Sequence, residues 1–150
     1  MQKHWIFIGA LHAALAVALG AFGAHGLVDF LAERHIEDPD LAAKRLGDWK
    51  TAASYQMYHA IGIILVGIVS LVRQNKSLNI AAWCFWFGIT LFSGLLYALV
   101  LTEIRVLGAI VPLGGLSFIV GWICFAIGGC CLSNETLPTG SVPNTLTELK

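Results

Sequence analysis

The chain has 150 residues, 57% of them hydrophobic and only 12% charged, with nine acids against nine bases. A soluble domain of this length carries roughly twice that charged fraction, and a neutral balance offers no field to hold nucleic acid or an acidic substrate. The charges are also confined: with histidine counted as neutral, none falls in 4–28, 51–72, 77–102 or 106–134.

Each of these stretches exceeds the roughly 20 residues that an α-helix needs to cross about 30 Å of hydrocarbon. None shows the strict alternation of a membrane strand. The pattern predicts an all-α fold, an integral membrane four-helix bundle. Its spans fall over about 5–27, 52–72, 79–101 and 107–132, with almost nothing left for a soluble domain.

The first span follows Lys3 and competes with a secretory signal. It is longer than the roughly 7–15 residues of a signal core, and its small residues recur at helical spacing, so it is read as retained. Ala16, Gly20 and Ala24 form a small-residue face, and His12 lies on the same line. Near mid-membrane His12 must be neutral; a bond to a backbone carbonyl is expected, with a functional role as the alternative.

The connection 29–50 holds most of the acids. In "EDPDLAAKRLGDWK", Asp38 suits an N-cap, Pro39 the first helical position, and Asp40 the positive end of the dipole. Ala42, Leu46, Trp49 and Ala53 form a stripe opposite Lys44, Asp48 and Thr51. This predicts an amphipathic interfacial helix before the second span, anchored by Trp49 and able to bend at Gly47.

The second span opens with "SYQMYHAIG", which takes Tyr55, Gln56, Tyr58 and His59 towards lipid. Each such group without a partner costs several kcal/mol on the order of. The short connections "RQNKSLN" and "EIRV" make successive spans antiparallel neighbours. Ser93, Tyr97 and Thr102 of the third span therefore arrive at the end reached by His25 of the first. The candidate polar cluster is His25, Tyr55, Gln56, His59, Ser93 and Tyr97.

Three uses of that cluster stay open. Its members could bond helices to one another and to carbonyls. They could line a pocket for a small polar head group, a quinone or an ion, with His25 and His59 moving protons or acting as ligands. Or His25 and His59 could ligate a haem or metal. Only Glu103 could reach inward to orient a ring. No complete acid, base and nucleophile set is visible, and no nucleotide loop, nucleophile elbow or zinc-protease motif appears. No catalytic residue, metal-ligand set or resident cofactor is assigned.

Gly94 and Ala98 share a face in the third span; Gly114, Ser117, Gly121, Cys124 and Gly128 share one in the fourth. With Gly20 and Ala24, these are expected packing surfaces, because helices in lipid associate by close backbone approach. Pro112 either opens the fourth helix or kinks a longer one. Cys84, Cys124, Cys130 and Cys131 follow no zinc spacing and read as packing residues, the last two also as palmitoylation candidates. The tail 135–150, with Pro138, Gly140 and Pro143, reads as disordered.

The motifs "LGAFGAHGL" (19–27), "WKTAASYQMYHA" (49–60), "LFSGLLYALVLT" (91–102) and "LGAIVPLGGLSFIVGW" (107–122) resemble the YgdD-like family, also called transmembrane-protein-256-like. The resemblance implies a four-helix protein of bacterial inner membranes with mitochondrial relatives, and supplies no activity. Lys3 before the first span, with Asp29 and Glu33 after it, places both termini in the cytoplasm. The expected role is an interaction or assembly subunit in the bilayer, contacting other membrane proteins or itself. The alternatives are a small-molecule, quinone or ion binder at the His/Tyr cluster and, third, a haem or metal redox protein.

Overall fold

The computed structural model describes residues 2–72 and 74–130. The tail 135–150, Cys131 and Arg73 lie outside the described residues. Those described are helical apart from short connections, with no strand among them. Four helical stretches are long and apolar enough to cross a membrane: His4–Ala24, Pro39–Val72, Lys76–Thr102 and Val106–Cys130.

Helix α1 (Gln2–Ala24) breaks at His25, and α2 (Gly26–Arg34) follows at once. This second helix corrects the expectation of a plain connection after the first span. It buries Leu27 and Leu31 against Trp49 and Val100. Asp29 in its first turn and Arg34 in its last complement its dipole. With only nine residues and two core positions, it has too little periodicity to be seen in the sequence.

Helix α3 (Pro39–Val72) runs unbroken for 34 residues, so the amphipathic segment and the second span are one rod of roughly 50 Å. Its start is built as the sequence suggests: the Asp38 carboxylate accepts from the Leu41 N–H at 3.0 Å. Trp49 and Ala53 are buried while Lys44 and Thr51 are exposed, and the helix passes through Gly47 without ending.

The third span is three pieces: α4 (Lys76–Gly88), a π-helical turn (Ile89–Gly94) and α5 (Leu95–Thr102). Asn75 caps it, accepting from Leu78 N–H at 2.8 Å and donating to the Gly128 carbonyl at 3.1 Å. Helix α6 (Val106–Cys130) starts two turns before Pro112, which therefore lies inside it. The missing proline N–H leaves the Gly108 carbonyl without its usual helical donor.

Helix α1 packs on α3, and α6 packs on α4, while the backbones of α3 and α6 come close at few points and the two helices meet through side chains. The central pair is the more buried: 44% of α3's apolar window and 39% of the third span's, against 17% for α1 and for α6. Two of the expected packing glycines sit where backbones must meet. A Cβ on Gly114 would lie 2.5 Å from the Phe92 nitrogen in the π turn, and one on Gly121 2.7 Å from the Phe85 ring. Gly20 has only the Ala53 methyl at 4.0 Å, and Gly94 and Ala24 face outward. On α1 the tight positions are Gly9, whose Cβ would meet the Ala60 carbonyl at 2.8 Å, and Gly23, whose Cβ would lie 2.5 Å from the Trp49 ring.

Candidate functional site: a crevice between α3 and α6

Half of the polar cluster closes on itself. The Gln56 amide donates to the His12 carbonyl of α1 at 3.0 Å and accepts from the Tyr97 hydroxyl of α5 at 3.1 Å. Ser93 in the π turn donates to the Ala52 carbonyl at 2.8 Å. Trp49 donates to the Leu19 carbonyl at 2.8 Å, and its ring lies 4.6 Å from that of Tyr97. Gln56 and Ser93 are buried, so each bond replaces one to water and ties two helices. These groups are satisfied by one another and by backbone carbonyls.

Tyr55 and His59 point the other way, towards α6. Because the backbones of α3 and α6 stand apart, a crevice of about 520 Å³ opens between them, lined by Tyr55, His59, Pro112, Phe118, Ile119 and Trp122 among others. The His59 ring is 5% exposed and stacks in parallel on Phe118, centroids 3.4 Å apart and planes 7° from parallel. Its Nδ1 lies 2.7 Å from the Tyr55 carbonyl, one helical turn back. A carbonyl can only accept, so Nδ1 carries a proton, and in the neutral ring Nε2 is then an acceptor. Nε2 has no partner among the described residues. Tyr55 stacks on Phe92 at 4.7 Å and lines the same side of the opening as His59.

At the end of the bundle where α3 begins, a charge clasp ties the first turns of α3 to two connections, at His35 and at Glu103. Arg45 places Nη2 and Nε at 2.6 and 2.8 Å from one Glu103 oxygen and Nη1 at 3.4 Å from Asp48. The other Glu103 oxygen lies 3.2 Å from His35 Nε2. Nearby, Arg34 donates to the Leu101 carbonyl at 2.9 Å. Burial alone would raise the Glu103 carboxyl pKa, but the hydrogen bonds and charges of Arg45 and then His35 prevail and hold it below the usual range. Glu103 sits in the left-handed region, φ 59°, where glycine is the usual helix terminator. Its side chain, locked by Arg45, accounts for a non-glycine residue there. Arg45 and His35 are absent from the candidates named on sequence.

The six candidates thus divide. Gln56, Ser93 and Tyr97 form the inner set, and Tyr55 and His59 face the crevice. His25 is exposed at the α1–α2 break and makes no capping bond. Gly23 packs on Trp49, so His25 lies level with the start of the span, about ten residues or roughly 15 Å along α3 from His59. The structure does not bring the two rings together as paired ligands. No group of three or more His, Cys, Asp or Glu could hold a metal ion among the described residues. His12 departs from expectation: its carbonyl is used, but its Nδ1 is buried without a partner.

Four apolar helices clasped by internal polar bonds define a small multi-pass membrane protein. A family model described as "Protein of unknown function (DUF423)" matches residues 19–115. The chain is 47% identical over 127 residues to the UPF0382 membrane protein SSP2132 of Staphylococcus saprophyticus, covering 85% of this chain and 97% of that one. It is 45% identical over 127 residues to the UPF0382 membrane protein YwdK of Bacillus subtilis, covering 84% and 95%. No solved structure matches. The chain belongs to this UPF0382 (DUF423) family of membrane proteins, the YgdD-like family whose motifs its sequence carries.

Proposed function

We propose that the protein binds a small amphiphile that enters the α3–α6 crevice from the lipid and donates a hydrogen bond to His59 Nε2. The observation that carries this is His59 itself: buried, tautomer fixed by the Tyr55 carbonyl, and left with one unsatisfied acceptor facing an aromatic-lined opening. An unmet polar group in hydrocarbon is costly, and a ligand hydroxyl or quinol O–H meets it. Flat rings in the walls favour a flat or aromatic head. The proposed setting is a bacterial plasma membrane with both termini cytoplasmic; a reporter fused after Lys150 that read as external would reverse that orientation.

The variant that tests the binding is His59→Phe, which keeps a ring on Phe118 and removes Nε2. Protein extracted from native membranes in mild detergent should carry a hydroxylated amphiphile, detected by mass spectrometry of its organic extract. The variant should lose it while melting within a few degrees of wild type. Identical extracts from the two proteins would overturn the proposal.

An assembly role is the second reading, and one observation favours it. Ala10, Ala14 and Ala18 line up at four-residue spacing on the exposed side of α1, a surface on which a partner helix could approach closely. Cross-linking of a cysteine at Ala14 to a partner protein would support it, and cross-linking to lipid alone would remove it.

A further inference from the structure

A second hollow of about 540 Å³ lies between the start of α3, α5 and the start of α6. Its lining is mixed: Leu41, Leu96, Leu99 and Val111 are apolar, and Lys44, Arg45, Asp48 and Arg105 are charged. Arg45 is engaged by Glu103 and Asp48. The side chains of Lys44 and Arg105 are exposed and make no hydrogen bond or ion pair among the described residues. Arg45 thus takes up Asp48, the one carboxylate of the lining, together with Glu103, and Lys44 and Arg105 are left at the hollow without an anionic partner among the described residues.

We infer that this hollow is a binding site for an anionic phospholipid, with its phosphate between Lys44 and Arg105 and its upper acyl chain against Leu99 and Val111. Charge complementarity selects the anion: an ammonium-bearing zwitterionic head would bring a cation to a lining that already has a surplus. Guanidinium and ammonium groups both bind phosphate oxygens, the first as a fork and the second as a point charge. The apolar part of the lining selects a lipid over a soluble phosphate, since a free anion leaves it wet. Lys44 lies fifteen residues before His59 on the same helix, roughly 22 Å away, so this site is independent of the one proposed at His59.

The test offers purified full-length protein equal amounts of phosphatidylglycerol and phosphatidylethanolamine and counts retained lipid by native mass spectrometry. A basic residue near anionic lipid is worth about a fivefold gain in affinity, so the wild type should favour phosphatidylglycerol by roughly twentyfold. Lys44→Gln and Arg105→Gln should each remove about fivefold, and together abolish the preference. His59→Phe should leave it intact, which separates this site from the crevice. Excess glycerol phosphate should not displace the lipid. Equal retention of both lipids by wild type, or a preference that survives in the double variant, would overturn the assignment. Displacement by glycerol phosphate would overturn the lipid in favour of a soluble phosphate.

Discussion

One amide joins three helices. Gln56 of α3 reaches α1 through the His12 carbonyl and α5 through the Tyr97 hydroxyl, all in a part-buried setting. Gln56→Leu removes both bonds at nearly constant volume and should cost about 1–2 kcal/mol in detergent unfolding, the sum of two typical interhelical bonds. Tyr97→Phe should cost less, and the double variant should fall short of the sum, because both lesions break the same bond. Glu103 gives the pH-dependent counterpart. Its folded pKa lies below the unfolded value of about 4.3, so its contribution is complete above that value. The contribution is lost as pH falls through the folded value. The groups facing Glu103 are Arg45 and His35, with Asp48 behind Arg45. The thermal midpoint should drop as pH is lowered from 5 towards 3, and Glu103→Gln should flatten that drop while lowering the midpoint at neutral pH. An unchanged acid profile in Glu103→Gln would contradict this account of the clasp.

At the scale of elements, α3 was only half legible. Arg45, Trp49, Ala52, Gln56, His59, Ile63, Val66 and Ser70 repeat at alternating steps of four and three, and all are buried. The period was present in the sequence, but five of its eight positions are polar or small, so a search for apolar residues passes over the core-facing side of this helix. Arg45 was missed for that reason, and His35 because it lies between helices where no period applies. The small-residue faces misled in part for a related cause. Spacing places small residues on one side of a helix, but only the neighbour's position decides whether that side is covered. Gly121 is covered by Phe85, whereas Gly94 faces outward. Gly121→Leu should therefore destabilise by about 1–3 kcal/mol or prevent folding, while Gly94→Ala should be neutral or stabilising in a melt of the purified protein. The π turn that ends at Gly94 had no sequence signature; the Gly114 backbone packs closely on its Phe92.

The four spans of the whole molecule were legible because lipid imposes one blunt requirement, long stretches without charge, and 4–28, 51–72, 77–102 and 106–134 meet it. The convergence of Gln56, Ser93 and Tyr97 followed from antiparallel threading alone. The crevice did not, because it depends on the backbones of α3 and α6 standing apart with the third span behind them, a lateral arrangement that short loops leave open. The binding account rests on that gap and on the bare nitrogen inside it. Its most direct test places a photoreactive amino acid at Ile119, on the lip of the crevice, and at Phe7, exposed on α1, in cells grown and irradiated alike. The Ile119 protein should yield one dominant lipid-soluble adduct mass, absent from the same protein carrying His59→Phe, while the Phe7 protein yields the mixture of the bulk membrane. The same bulk mixture at both positions, unaffected by His59→Phe, would contradict the binding of an amphiphile in the crevice.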